Sequence, residues 1–220
     1  MSIAENLNNI KSTLPANVSL VAVSKTKPID DLMEAYNAGQ RIFGENKIQE
    51  MTEKWQQMPK NIEWHMIGHV QSNKIKFMIP YVKLIHGVDS LKLLKEINRL
   101  AIKWRKHINV LLQVYIAEEE TKFGLNETEL DEIFQFIQND DSLTNVKITG
   151  LMGMASFTED KDQIRKEFTY LKSLFDKYSQ LNTVNCQLNT LSMGMSGDYE
   201  LAIECGSTMI RVGSSIFGGR

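Results

Sequence analysis

Residues 19–23, Ser-Leu-Val-Ala-Val, form a short apolar run that leads directly into the polar stretch Ser-Lys-Thr-Lys-Pro at residues 24–28. Five residues are too few for a stable helix, whereas an uninterrupted apolar run of this length is typical of a parallel strand buried on both faces. We therefore predict a strand here, followed by a loop that carries Lys25.

Seven further runs of this kind recur along the chain, at residues 41–44, 63–67, 83–86, 110–115, 148–152, 187–191 and 209–212. Apolar residues at helical spacing lie around them, within residues 3–14, 48–55, 91–104, 130–137 and 164–175. Asn126, with Glu129 three residues later, is typical of a capped helix start. The pattern is one of strands alternating with helices.

Eight strands that alternate with helices predict a single domain, a closed (β/α)8 barrel over residues 1–220. No Pro-, Gly- or Ser-rich linker divides the chain. An open, doubly wound sheet is the alternative, but no G-x-G-x-x-G pattern follows the first strand to favour it.

The composition argues against several functional classes. Lys plus Arg number 25 and Asp plus Glu 27, a net charge of −2 that does not suit a nucleic-acid binder acting through bulk positive charge. Two cysteines and four dispersed histidines predict neither a disulfide framework nor a metal site. No stretch suits a signal peptide or a membrane span, so we expect a cytoplasmic protein without membrane contact.

Functional residues of such barrels lie at the carboxyl ends of the strands. Lys25 lies two residues after the end of the first run, where burial would favour the neutral amine that attacks aldehydes, although an ordinary solvated lysine would also fit. Asn46 and His65 supply polar groups at the same rim. Helix capping would explain Asn46 equally well, and a core position would explain His65.

The ends of the last two strands, residues 191–198 and 211–215, are rich in serine and glycine. Small residues let backbone N–H groups approach an anion, and barrels commonly bind phosphate after strands 7 and 8. A pair of ordinary turns, with Ser196 as a helix N-cap, is the alternative. An amine beside a phosphate site predicts a phosphorylated aldehyde as ligand, and pyridoxal 5′-phosphate (PLP) fits both halves.

Several stretches resemble the pyridoxal phosphate homeostasis protein family, which is related to the N-terminal barrel of alanine racemase. The matching segments follow in order at residues 21–28, 43–46, 64–68, 71–74, 150–152, 191–196, 206–213 and 216–218. The resemblance implies a barrel of the alanine racemase N-terminal type that holds PLP as a Schiff base on Lys25. The candidate cofactor contacts are Lys25, Asn46, His65, Ser192, Met193, Ser196, Arg211, Gly213 and Ser214.

The resemblance also implies individual roles. It places Ser192, Ser196, Gly213 and Ser214 around the phosphate, and it places Arg211 at the pyridine nitrogen. Lys122 resembles a family lysine linked to a secondary PLP contact.

Arg211 also bears on whether the protein is an enzyme. An arginine at the pyridine nitrogen disfavours protonation of that nitrogen, so the ring is a weaker electron sink. Because the sequence ends at Arg220, directly after the eighth unit, we expect no second domain to supply another base, and we expect a monomer. We expect a PLP carrier in intracellular vitamin B6 homeostasis, without catalysis and in transient contact with PLP-dependent apo-enzymes. A PLP-dependent amino-acid racemase and a phosphosugar isomerase-type barrel are the alternatives.

Overall fold

The computed structural model describes residues 1–118, 123–181 and 183–219. The strands of this part of the chain are β1 (Ser19–Val23), β2 (Ile42–Glu45), β3 (Glu63–Met66), β4 (Val82–Val88), β5 (Ile108–Gln113), β6 (Val146–Met152), β7 (Cys186–Ser192) and β8 (Met209–Val212). Its α-helices are α1 (Ile3–Thr13), α2 (Ile29–Asn37), α3 (Ile48–Gln57), α4 (Ile75–Met78), α5 (Leu91–Lys103), α6 (Glu127–Asn139), α7 (Lys161–Ser179), α8 (Tyr199–Glu204) and α9 (Ser214–Phe217).

The strands close in sequence order into a parallel barrel, with β8 paired to β1. This closure confirms the predicted (β/α)8 architecture and excludes the open doubly wound sheet. β1 and β8 begin and end where the sequence predicts, and the other strands differ from the prediction by one or two residues at an end. Helices α2, α4, α8 and α9 lie outside the five stretches of helical spacing identified in the sequence.

Alternation along the strands decides which side chains reach the end of the barrel. Val21 packs inside the barrel with Met209. Successive side chains of a strand point to opposite faces, so Val23 and Lys25 continue the inward face of β1. Arg211 continues the inward face of β8 in the same way. Because Val21 pairs with Arg211 across the two strands, adjacent strands carry the amine and the guanidinium to the same end.

The outward faces of the strands pack against the helices in a larger apolar core that includes Leu7, Phe43 and Phe168. The capped start predicted for α6 is present, because the Asn126 side chain accepts from the Glu129 N–H at 2.9 Å and the Glu129 carboxylate accepts from the Asn126 N–H. Among the helices that the structure describes, none has the length and apolar character needed to cross a bilayer.

Gly150 lies where β6 and β7 come too close together to admit a side chain. A Cβ at this position would be 1.7 Å from the carbonyl oxygen of Thr190, and a backbone atom cannot rotate away. We expect Gly150→Ala to lower the free energy of unfolding by about 3 kcal/mol, measured by urea denaturation. Gly197→Ala is the control, because a Cβ there meets nothing within 4 Å. Equal stability of the two variants would contradict the close approach.

Candidate functional site

A cavity of about 490 Å³ opens at the carboxyl ends of the strands. Position at this end of the barrel is what the fold predicts for a binding site. At the carboxyl ends of four strands, β1, β2, β7 and β8, the cavity brings together six of the residues singled out from the sequence: Lys25, Asn46, Ser196, Arg211, Gly213 and Ser214.

The three other predicted contacts do not line this cavity. His65 is 3 % exposed and Ser192 is fully buried, and both are hydrogen-bonded within the barrel. Met193 is also fully buried and belongs to the apolar core between strands and helices. Ser192 contacts the Arg211 guanidinium, which itself reaches the cavity. Direct contact of a ligand with these three residues therefore stays a prediction.

Lys25 is half-buried on the loop after β1. Within residues 1–118, 123–181 and 183–219 its amine has no hydrogen-bond or salt-bridge partner. The next residue, Thr26, has a φ of 64°, a left-handed conformation that costs energy for a β-branched side chain. The Thr26 N–H donates to Glu50 Oε1 at 2.6 Å, so an acidic side chain from α3 helps to hold the turn that presents Lys25.

A buried cluster of charged side chains also stabilises this turn. Lys54 Nζ donates at 2.7 Å to the carbonyl oxygen of Ser24 and to Oε1 of both Glu45 and Glu50. The Ser24 hydroxyl donates to Glu45 Oε1 at 2.6 Å. Burial raises the pKa of Glu45, and the positive charge of Lys54 acts in the opposite direction. The backbone on both sides of Lys25 is therefore fixed by charged side chains.

Arg211 contributes a buried guanidinium to the cavity, with the whole residue only 4 % exposed. Its Nη1 donates to Ser192 Oγ at 2.6 Å and its Nη2 donates to the carbonyl oxygen of Gly153 at 3.0 Å. Burial lowers the pKa of Arg211 to about 10, with the charge of Asp198 acting in the opposite direction. The guanidinium is therefore still charged at neutral pH.

Two histidines continue this contact into the barrel. Ser192 Oγ lies 3.2 Å from His86 Nδ1, and His86 Nε2 lies 3.1 Å from His65 Nδ1. Burial, followed by the charge of Lys83, lowers the pKa of His65 to about 3. Burial, followed by His65 and Arg211, lowers the pKa of His86 well below its usual value. Both imidazoles are neutral at neutral pH.

The loops after β7 and β8 are bonded to each other. Ser196 Oγ accepts from the Gly213 N–H at 3.2 Å, and the Gly194 carbonyl accepts from the Arg211 N–H at 3.0 Å. The N-cap of α8 is Asp198, so the alternative role of Ser196 as that cap is wrong. Gly213 lies close to β1, where a Cβ would be 3.1 Å from the Val23 carbonyl oxygen.

Lys27 is tied to the end of the described chain. Its Nζ donates to the carbonyl oxygens of Phe217 at 3.1 Å and Gly219 at 3.0 Å. Together with Lys25 and Arg211 it gives the described cavity lining three cations, against the single carboxylate of Asp198. The excess of positive charge favours an anionic ligand, and the amine of Lys25 can react with a carbonyl group on that ligand.

Two buried residues near the site, Lys54 and His86, were not predicted, although the sequence contains a signal for each. Lys54 falls three residues after Met51, in the apolar stripe of α3, where a lysine requires a buried partner. His86 ends an apolar run in the same way that His65 interrupts one. The predicted role of Lys122 falls outside the described residues. Within the described ranges, no three His, Cys, Asp or Glu side chains group as metal ligands.

The chain is similar to known proteins over its whole length. The family model described as "Alanine racemase, N-terminal domain" matches residues 1–220. The chain is 39 % identical to the pyridoxal phosphate homeostasis protein of Pasteurella multocida, over 100 % of this chain and 98 % of that protein. It is 35 % identical to the protein of the same name from Escherichia coli K12, over 94 % of this chain and 87 % of that protein.

Solved structures are similar over the same length. PipY of Synechococcus elongatus, solved without PLP, has a TM-score of 0.92 and 35 % identity, covering 99 % of this chain and 100 % of PipY. PipY with PLP bound has a TM-score of 0.88 and 34 % identity over the same shares. Alanine racemase from E. faecalis has a TM-score of 0.78 at 16 % identity, covering 99 % of this chain and 58 % of that enzyme, which shows a shared fold alone.

Proposed function

The chain belongs to the pyridoxal phosphate homeostasis protein family, within the larger family of alanine racemase N-terminal domains, and on this premise we propose that it binds PLP and acts in PLP homeostasis. One observation carries the proposal: Lys25 presents an amine with no described partner at the mouth of a cavity whose other charges favour an anion. The relatives named for PLP homeostasis and PipY with bound PLP support it.

The residues of the cavity fit the chemical groups of PLP. When bound, PLP supplies an aldehyde that condenses with an amine with loss of one water. Lys25 would hold the aldehyde end. Ser196, Gly213 and Ser214, on the two bonded loops, would hold the phosphate, a role that their small size and the positive surroundings suit.

Binding without catalysis is the second half of the proposal. Arg211 can only donate hydrogen bonds, so a ring atom that faces it must be an acceptor. If that atom is the pyridine nitrogen, it stays unprotonated and the ring withdraws few electrons from a bound amino acid. The name of the relatives, which refers to homeostasis and to no reaction, is consistent with a carrier. Cytoplasmic location, a monomeric state and transient hand-over of PLP to apo-enzymes stay predictions of the sequence.

Borohydride reduction of the PLP-treated protein tests the proposal. We expect the purified protein, incubated with PLP and dialysed, to keep a visible absorbance, and reduction followed by peptide mapping to place a single PLP on the peptide that contains Lys25. A protein that retains no chromophore would favour the phosphosugar isomerase-type alternative. Exchange of amino-acid α-protons in deuterated water, dependent on Lys25 and at about one per second or faster, would instead show a racemase-like enzyme.

A further inference from the structure

A row of buried polar side chains, which the proposed function does not use, leads from the barrel interior to Arg211. Ser192 and His86 are fully buried and His65 is 3 % exposed. The atoms in line are Arg211 Nη1, Ser192 Oγ, His86 Nδ1, His86 Nε2 and His65 Nδ1, with separations between residues of 2.6, 3.2 and 3.1 Å. The side chains come from four different strands, so only the closed barrel brings them together.

Arg211 favours one direction for the bonds in this row. A guanidinium only donates, so Ser192 Oγ accepts from Arg211 Nη1. Among the described contacts of Ser192 Oγ, His86 Nδ1 is the atom that can accept its hydrogen, so that hydrogen is directed to His86. His86 Nδ1 is then an acceptor, and the proton of the neutral ring is on Nε2. That proton is donated to His65 Nδ1, which leaves the proton of His65 on Nε2.

Both imidazoles must be neutral for the row to hold. A protonated His86 would have a hydrogen on Nδ1, facing the hydroxyl that has to donate to it. The positive charge of Lys83 opposes protonation of His65, and the positive charge of Arg211 opposes protonation of His86. The surroundings therefore favour one tautomer of each ring over the charged form.

We propose that His86 and His65 are positioning residues, which act through Ser192 to hold the Arg211 guanidinium in one orientation at the cavity wall. With Nη1 on Ser192 and Nη2 on the Gly153 carbonyl, the guanidinium plane is fixed at two points. Ser192 therefore acts through Arg211, which lines the cavity, while Ser192 itself does not line it. The consequence for ligand binding rests on the proposed function, because Arg211 is expected to face bound PLP.

A pair of His86 variants tests this role. His86→Leu leaves the Ser192 hydroxyl without an acceptor, whereas the amide oxygen of His86→Asn can replace Nδ1. We expect His86→Leu to weaken PLP binding by on the order of tenfold and to shift the pH at which the absorbance of bound PLP changes. His86→Asn is expected to restore most of both. PLP affinity and pH profile equal to the parent protein in His86→Leu would overturn the positioning role and leave the proposed function standing.

Nitrogen NMR of labelled histidines in the parent protein tests the row itself, without PLP and without any variant that could fail to fold. We expect His65 and His86 to be neutral, with the proton on Nε2, between about pH 5 and pH 8. An Nδ1–H tautomer of His86, or a protonated ring at either position in that range, would overturn the proposal whether or not PLP binds. A parent protein that has the expected tautomers but does not bind PLP would overturn the proposed function and support the row.

Discussion

Lys25→Ala is expected to abolish the PLP that borohydride fixes to the protein, while the midpoint of thermal unfolding stays unchanged. The alanine methyl group cannot condense with an aldehyde, so the effect on covalent binding should be complete. Stability should change little, because the Lys25 amine makes no hydrogen bond to any described residue and the side chain is half-buried. Mass spectrometry of the reduced protein and differential scanning calorimetry measure the two quantities.

Two other lysines provide matched controls. Lys27 lines the same cavity, but its amine is held by the carbonyl oxygens of Phe217 and Gly219. In Lys27→Ala the fixed PLP should still map to Lys25. Lys92 is exposed on α5 outside the cavity lining, and Lys92→Ala should behave as the parent protein. Loss of fixed PLP in Lys27→Ala, together with its retention in Lys25→Ala, would show that the amine is wrongly assigned.

Lys54→Met should lower the free energy of unfolding by about 3–5 kcal/mol, because it removes one partner of a buried ion cluster. Methionine keeps the apolar part of the lysine side chain, so the loss of stability measures the effect of removing the charge. Glu45, whose side chain is fully buried, would lose the cation 2.7 Å from its Oε1. The variant should also bind PLP less well, because Lys54 holds the Ser24 carbonyl beside Lys25.

This loss of stability should depend on pH in a defined direction. Burial already raises the pKa of Glu45, and without the opposing charge of Lys54 that pKa rises further. In the folded variant Glu45 therefore keeps its proton to a higher pH than in the unfolded chain. The stability deficit should be small in acid, where the carboxyl is neutral, and should grow as the pH rises through the raised pKa.

Urea denaturation at about pH 5 and pH 8 measures this difference, with the parent protein at each pH as the reference. The double variant with Glu45→Gln also present is the control, since its deficit should vary much less with pH. A deficit in Lys54→Met below about 1 kcal/mol, or one that is equal at both pH values, would show that the cluster does not carry the expected charge interaction.

The barrel could be predicted from the sequence because its strands are buried on both faces. Such strands appear in the sequence as short apolar runs. The runs at β1 and β8 are followed directly by Ser24 and Gly213, so their predicted ends were correct. Lys25 was predictable for the same reason, since it lies two residues after the end of one of these runs. Helix α2 was missed because only Leu32 and Ala35 are buried on it, which is too short an apolar face to form a clear pattern.

The arrangement of the site depends on contacts between strands, which a single sequence does not display. The phosphate contact expected for Ser192 stays a prediction, whereas its contacts with Arg211 and His86 arise only in the closed barrel. Only one of the partners of Lys54 could be read from spacing. Glu50 is on the same helix face, whereas Glu45 and the Ser24 carbonyl are brought to it by folding.

The bonds from Lys27 to the carbonyl oxygens of Phe217 and Gly219 have a practical consequence for anyone who purifies the protein. Gly218 and Gly219 form part of the cavity wall, so a peptide extension joined to this segment would lie beside the opening. A polyhistidine extension would bring its own imidazoles to the entrance of the cavity. These imidazoles would compete with the side chains of the cavity lining for a small anionic ligand.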